Sequence, residues 1–318
     1  MARCKRPGHR EGVQITKRTW RAPPAVGWAL RRTRELADPL LGDGLGVRGP
    51  GGEVASGSEV VHAGRPAPGR EPLAGSALPP RRLRARAGAG GAYAFAEGGR
   101  QAAAELAGLV RSAGRDPGRL RSVLDFGCGP GRVLPHFAAL APEAACVGCD
   151  VDAAAIDWAA RAHRALGWSL SSFHPPLPFQ DGRFDLVYAI SVFSHLDRGV
   201  AGMWLAELRR VLAPDGLALL SVHGPHAFEQ FRSGAVTTSW CAPEVFRRGP
   251  LGAGEYVFAP YRRSFWTDGD LPGVGRDYGL AFQGAGHTRA SWGRALQVVE
   301  VRARALTDWQ DVAVCLNC

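Results

Sequence analysis

With 318 residues the chain can hold one large domain or two small ones, and its formal charge of +10 is unevenly spread. Residues 1–90 carry 17 Arg and Lys against 7 Asp and Glu, whereas residues 91–318 carry 22 of each. The larger part is therefore electrically balanced, which argues against a nucleic-acid- or membrane-binding body.

Residues 1–90 are rich in Arg, Gly, Pro and Ala without apolar periodicity, and are expected to be a disordered basic extension. A flexible tail, a nucleic-acid- or membrane-contacting arm and an over-extended translation start all fit that composition. The near absence of Lys beside abundant Arg is the bias of a GC-rich genome, where spurious reading frames run long. Acidic residues such as Glu11, Glu35 and Asp38 weaken a transit-peptide reading. No apolar run reaches the ~18 residues that span a bilayer, and no signal-peptide core follows the basic start. A cytoplasmic protein with no membrane partner is expected.

A regular pattern starts at residue 91. Ala102, Leu106, Leu109, Val110 and Ala113 form a helical stripe ahead of a first strand at 122–126. That strand ends in Asp125-Phe126-Gly127-Cys128-Gly129-Pro130-Gly131-Arg132. Glycine at every second position lets backbone approach a bound nucleotide-like molecule, and the next helix (Val133, Leu134, Phe137, Leu140) aims its N-terminal amides at the same place. A second strand at 145–149 leads to Asp150, and Ala155, Trp158, Ala159, Ala162 and Leu166 mark a second helix. A short strand near 170–173 and a Pro-rich loop at 175–178 follow. The fourth strand is 184–190. A helix then carries Trp204, Leu208, Val211 and Leu212 and stops at Pro214-Asp215-Gly216, and the fifth strand is 217–222.

Alternation ends there. Residues 225–285 read as an irregular, aromatic-rich insertion, a lid or small core carrying Phe228, Phe231, Trp240, Phe246, Tyr256, Phe258, Tyr261, Phe265, Trp266 and Tyr278. A helix near 288–294 precedes strands at 296–301 and 311–316, whose short connection requires an antiparallel hairpin. The expected fold is α/β: a Rossmann-like, doubly wound, mostly parallel seven-stranded sheet ending in an antiparallel hairpin.

Seven cysteines include two C-x-x-C pairs, Cys146/Cys149 and Cys315/Cys318. The odd offset of the first pair in a strand sends its side chains to opposite faces, so no metal site is expected there.

The glycine spacing G-x-G-x-G departs from the G-x-G-x-x-G dinucleotide fingerprint, and the Asp125 carboxylate suits a cationic ligand better than a pyrophosphate. A nicotinamide oxidoreductase is the alternative on cofactor. Four motifs in order, D-F-G-C-G-P-G-R, V-G-C-D at 147–150, L-P-F-Q-D-G-R-F-D-L-V at 177–187 and E-L-R-R-V-L-A-P-D-G at 207–216, resemble class I S-adenosylmethionine-dependent methyltransferases of the small-molecule type 11/12 group. The resemblance covers roughly residues 92–318. It implies S-adenosyl-L-methionine as cofactor. Gly127, Cys128, Gly129 and Gly131 would then wrap its methionine and ribose, and Asp125 would lie near its ammonium. Asp150 would accept from the ribose hydroxyls, with a turn or helix cap as its alternative. Ser191 would line the same pocket. Many relatives carry an acid for the adenine after strand three; here 173–179 has none.

Reacting groups in such a sheet stand beyond the carboxyl ends of the strands. Methyl transfer is an in-line displacement that asks the protein to align the acceptor and exclude water. A base helps when the acceptor is a hydroxyl or protonated amine, which makes His195 and then His223 candidate bases. Helix packing or capping is the alternative for each. The function expected is methylation of a small molecule, on oxygen of a sugar or metabolite. A nucleic-acid methyltransferase would use the basic arm, but the N/D-P-P-Y/F clamp for a flipped base is replaced by Ala189-Ile190-Ser191-Val192. A non-catalytic cofactor-binding scaffold is the remaining alternative.

Overall fold

The computed structural model describes residues 78–88, 91–236, 241–262 and 275–318. Two helices, α1 (Arg81–Arg86) and α2 (Ala92–Ser112), precede the first strand. The alternating part runs β1 (Ser122–Phe126), α3 (Leu134–Leu140), β2 (Ala145–Asp150), α4 (Ala153–Ala162), β3 (Gly167–Leu170), β4 (Phe184–Ala189), α5 (Arg198–Val211) and β5 (Leu212–Val222). Then come α6 (Pro225–Arg232), β6 (Tyr256–Pro260), β7 (Gly279–Gln283), α7 (Ala285–Trp292), β8 (Gln297–Leu306) and β9 (Gln310–Leu316).

The seven-stranded sheet has the order β3-β2-β1-β4-β5-β9-β8. Its first five strands are parallel; β9 inserts antiparallel between β5 and β8. This is the expected mostly parallel architecture closed by a hairpin. Order reverses between β1 and β4, so a crevice opens beyond the carboxyl ends of β1, β2 and β4. Alternate residues feed two cores: Leu124 and Val187 pack with Trp204 and Leu208 of α5, while Val123 and Leu186 pack with Leu106 of α2 and Phe137 of α3. Cys146 and Cys149 belong to opposite cores, as their odd offset demands.

Several element boundaries differ from expectation. Strand β3 lies at 167–170 rather than 170–173, because Trp168 is the buried anchor, its indole donating to the His163 carbonyl at 3.1 Å. Helix α4 stops at Ala162, so Leu166 is outside it. Pro214-Asp215-Gly216 is a bulge inside β5 rather than a turn before it. Asn317 holds that bulge: its side-chain amide donates to Leu212 O at 2.8 Å, and its carbonyl accepts from Asp215 N at 2.7 Å. Helix α7 starts at Ala285 rather than near 288.

The 225–285 insertion is more regular than expected. It holds α6, the short 3-10 turn Pro243–Phe246 and the two-stranded antiparallel sheet β6-β7, around a core of Phe228, Leu251, Leu280 and Phe282. Trp240, Arg263, Phe265 and Trp266 lie outside the described residues. Within the segment expected to be mostly disordered, residues 81–86 are helical, with Leu83 buried. Residues 1–77 lie outside the description. Among the described residues no helix is long and apolar enough to cross a membrane.

Candidate active site

A cavity of about 270 Å³ opens where β1, β2 and β4 end. Its lining includes Asp125, Gly127, Cys128, Gly129, Asp150, Ser191 and His195, so seven of the sequence-predicted residues meet around one space. Gly131 and His223 do not line it.

The turn after β1 takes φ values of +75°, +53° and +75° at Gly127, Gly129 and Gly131, a region that disfavours any Cβ. The three glycines serve different neighbours. A Cβ on Gly127 would meet Val192 at 2.3 Å, and one on Gly131 would meet Trp168 at 2.7 Å. On Gly129 a Cβ would have only Ala87 near it, at 3.7 Å. Gly129 is thus the glycine that leaves backbone open to a ligand, and Gly131 lets the turn close on β3.

Asp150 is drawn over this turn. Its Oδ2 accepts from Gly129 N at 2.7 Å and its Oδ1 from Asp152 N at 2.9 Å. Burial pushes its pKa up, and the amides of Asp152 and Gly129 oppose that. The helix cap is Asp152, which accepts from Ala154 N and Ala155 N, so capping does not account for Asp150. Each Asp150 oxygen keeps a second lone pair for a hydroxyl donor.

Asp125 is buried at the cavity floor and accepts from the Tyr188 hydroxyl at 3.1 Å. Desolvation raises its pKa to about 7, against the opposing pull of that hydrogen bond and of Arg132. Nothing in the residue pattern signalled the cavity wall formed by the end of α1: Arg86, whose guanidinium pairs with Asp152 at 2.8 Å, and Ala87 and Gly88 just after it. Six residues carry too little periodicity to announce a helix. Phe173 and Trp204 also line the cavity, joined by the Trp204 indole donating to Phe173 O at 3.1 Å.

On the other side stand Ser191, Val192, His195 and Tyr278. Ser191 has φ +60°; its amide donates to Ser221 Oγ at 2.8 Å and its hydroxyl accepts from Gln310 Nε2 at 2.7 Å. His195 is partly exposed, with Nδ1 at 2.9 Å from the Gly279 carbonyl and 2.9 Å from the Tyr261 hydroxyl. A carbonyl only accepts, so Nδ1 carries the proton and Nε2 the lone pair. Burial lowers the His195 pKa, against the Gly279 hydrogen bond, and keeps the ring neutral near pH 7. The cap of α5 is Asp197, which accepts from Val200 N at 2.7 Å, so His195 is not a cap.

The insertion positions this histidine. Strand β7 extends the loop after β4 through Gly279 N to His195 O at 2.9 Å and Ala281 N to Ser194 O at 2.8 Å. His223 sits behind His195, ring centroids 5.7 Å apart, buried against Phe282 and Trp309. Burial drives its pKa down to about 3. His223, expected as a second candidate base, thus packs behind the cavity and does not line it.

A family model described as a methyltransferase domain matches residues 123–216, from β1 to the β5 bulge. Over those residues the chain carries a methyltransferase domain. A malonyl-(acyl-carrier protein) O-methyltransferase from Legionella pneumophila is 34% identical to this chain over 131 residues, 40% of this chain and 43% of that protein. A second of the same name from Geobacter sulfurreducens is 33% identical over 133 residues, 39% of this chain and 46% of that one. The matches thus span less than half the length of these curated relatives. Among solved structures, a SAM-bound amino pentose methyltransferase from Micromonospora echinaspora is 18% identical, with 67% of this chain and 89% of that one covered and a TM-score of 0.42.

The cavity lining suits S-adenosyl-L-methionine. A Cβ would occupy the open backbone at Gly129, and the Asp150 carboxylate has lone pairs to spare.

Proposed function

We propose that this methyltransferase places a methyl group on a hydroxyl oxygen of a small molecule, with His195 as general base. The observation that carries the reading is the neutral His195 at the cavity, its proton fixed on Nδ1 by Gly279 and its Nε2 lone pair available. S-adenosyl-L-methionine, when bound, supplies an electrophilic methyl carbon and its own leaving group. Asp150 would accept from ribose hydroxyls and Asp125 from the ammonium, while the turn at Gly127, Cys128 and Gly129 lies along the chain between. Ser191 would contact the same molecule from the β4 side. The protein's remaining task is to hold the acceptor oxygen in line, exclude water and take its proton. Phe173, Leu196, Trp204 and Tyr278 supply an apolar wall for that purpose.

Two observations favour a hydroxyl. The described cations of the lining, Arg86 and Arg132, stand by Asp152 and the glycine turn rather than by His195. A neutral imidazole suits an acceptor that must lose a proton. The names of both curated relatives specify oxygen too, but a malonyl group offers a carboxylate oxygen, which needs no base, so they support oxygen as the acceptor atom and not a hydroxyl in particular.

Transfer of labelled methyl to a panel of hydroxyl, amine and carboxylate compounds tests this. Hydroxyl acceptors are expected to take label, and His195→Asn to lower kcat by roughly 10²–10⁴-fold with cofactor affinity retained. Labelling of carboxylates alone, or full activity in His195→Asn, would overturn the reading.

A further inference from the structure

The His195 ring is held at one edge by two oxygens. Nδ1 lies 2.9 Å from the Gly279 carbonyl and 2.9 Å from the Tyr261 hydroxyl. Both come from the insertion, whose small sheet delivers them together. The β6–β7 register sets Gly279 opposite Pro260, and one further hydrogen bond, Tyr261 N to Tyr278 O at 3.1 Å, continues the ladder past that pair. Position 279 needs glycine, since a Cβ there would lie 2.2 Å from the Ala259 carbonyl oxygen.

One proton arrangement satisfies both contacts. Were Tyr261 to donate to a lone pair on Nδ1, that lone pair would also face the Gly279 carbonyl, two acceptors in contact. A proton on Nδ1 is instead shared by the two oxygens in a three-centre bond. Burial pushes the Tyr261 phenol well up, so it stays un-ionised and its oxygen is a neutral acceptor. The arrangement matters most once the ring is charged. Methylation of a hydroxyl breaks its O–H bond toward Nε2 and forms the O–C bond as the methyl–sulfur bond breaks. One positive charge thus leaves the sulfonium and arrives on the imidazole. Around that ring stand His223 after β5, Tyr261 after β6 and Tyr278 before β7. Asp197 is engaged at the α5 cap, and the cavity's other charged groups, Asp125, Asp150, Asp152, Arg86 and Arg132, belong to the ends of α1, β1 and β2. Among the described residues no carboxylate is bonded to His195, so the two oxygens are what meets the new charge at Nδ1.

We propose that Tyr261 is a positioning residue for His195: its hydroxyl oxygen shares the Nδ1 proton with Gly279, which fixes the ring with Nε2 bare and stabilises the imidazolium as the acceptor's proton arrives. This rests on His195 being the base. A carboxylate in the place of Tyr261 would hold the ring protonated near pH 7 and so unable to act; a neutral oxygen orients it and leaves it free to take a proton.

Tyr261→Phe removes the oxygen and keeps the ring. Nitrogen-15 NMR of the histidine-labelled full chain, with His195→Asn assigning the resonances, reads the tautomer and titration of His195 without cofactor or acceptor. Wild type is expected as the Nδ1–H tautomer, and Tyr261→Phe to raise the acid dissociation constant of His195 about 3–10-fold. With a hydroxyl compound that takes label, the acid limb of kcat should move down in pH by the same factor and kcat above it fall about 2–10-fold, with KM unchanged. An unchanged titration, a loss confined to KM or thermal stability, or a wild-type Nε2–H tautomer would overturn the proposal, since Tyr261 would then only pack. Should Tyr261→Phe not fold, Tyr261→Leu read in the same way and the wild-type tautomer decide. A moved titration with unchanged kcat, or no hydroxyl compound taking label, would overturn the base reading and this role with it, and full activity in His195→Asn marks that failure apart from the first.

Discussion

Asp125 and Asp150 end adjacent strands, and both are buried carboxylates, yet they are prepared differently. Asp150 is held by two amides, whereas Asp125 has a single phenolic donor and a pKa raised to about 7 by desolvation. An ammonium ligand pairs only with the ionised form. Affinity for S-adenosyl-L-homocysteine is therefore expected to climb as pH rises toward about 7. Asp125→Asn should bind more weakly and lose that slope; calorimetry at pH 5.5, 6.5 and 7.5 reads both. A slope unchanged in the variant would assign it to another group. The sequence made these two carboxylates and Gly129 legible, because residue type and spacing carry their chemistry. It made His195 legible only as one histidine among several. What separates it from His223 is the placement of β7, which turns one ring to the cavity and buries the other, and no local pattern encodes that.

At the scale of elements, the glycine turn depends on the helix behind it. A Cβ on Gly99 would lie 1.9 Å from the Arg132 carbonyl oxygen, with His136 at 3.2 Å. Gly99→Ala must push α2 off the turn, even though Ala suits a helix better than Gly by roughly 1 kcal/mol. A net loss of about 1–3 kcal/mol is expected from overpacking, read from urea unfolding. A stabilised Gly99→Ala would show that α2 yields without cost. Strong periodicity announced the long elements: α2, α5 and the strands β1, β4 and β5 lie close to where their apolar spacing puts them. Boundaries failed where a tertiary partner decides. Trp168 pulls β3 three residues earlier, and Asn317, a hundred residues distant in sequence, turns an apparent loop into the β5 bulge. In the insertion, β6 and β7 were hidden because aromatic side chains crowd both faces of so short a sheet.

At the scale of the molecule, buried His223 and half-buried His163 set the response to acid. Burial lowers His223 to about 3 and His163 to about 4, from 6.5. Both are neutral when folded and take up protons on unfolding. Their contribution is whole above about 6.5 and is lost as pH falls toward 4 and 3. Asp125 has the opposite sign, since its raised pKa costs stability as pH rises from 3.8 toward about 7. His223→Gln is expected to show a shallower acid limb than wild type, the difference reaching a few kcal/mol near pH 4, measured by chemical unfolding at pH 7, 5.5 and 4. Superimposable limbs would mean that His223 is not held neutral. Chain-wide charge, by contrast, located nothing: the basic excess is split between residues 1–77, at +6, and the four arginines of α1, at +4, while the site is built from opposite charges in near balance.

The account turns on Asp150 as the group that clasps the cofactor's ribose beside the open backbone of Gly129. The most direct measurement is calorimetric titration with S-adenosyl-L-homocysteine of the wild-type chain and of Asp150→Ala. The account predicts one site in wild type and an affinity roughly 10–100-fold lower in the variant. Equal affinity in the two, with both proteins folded, would contradict it.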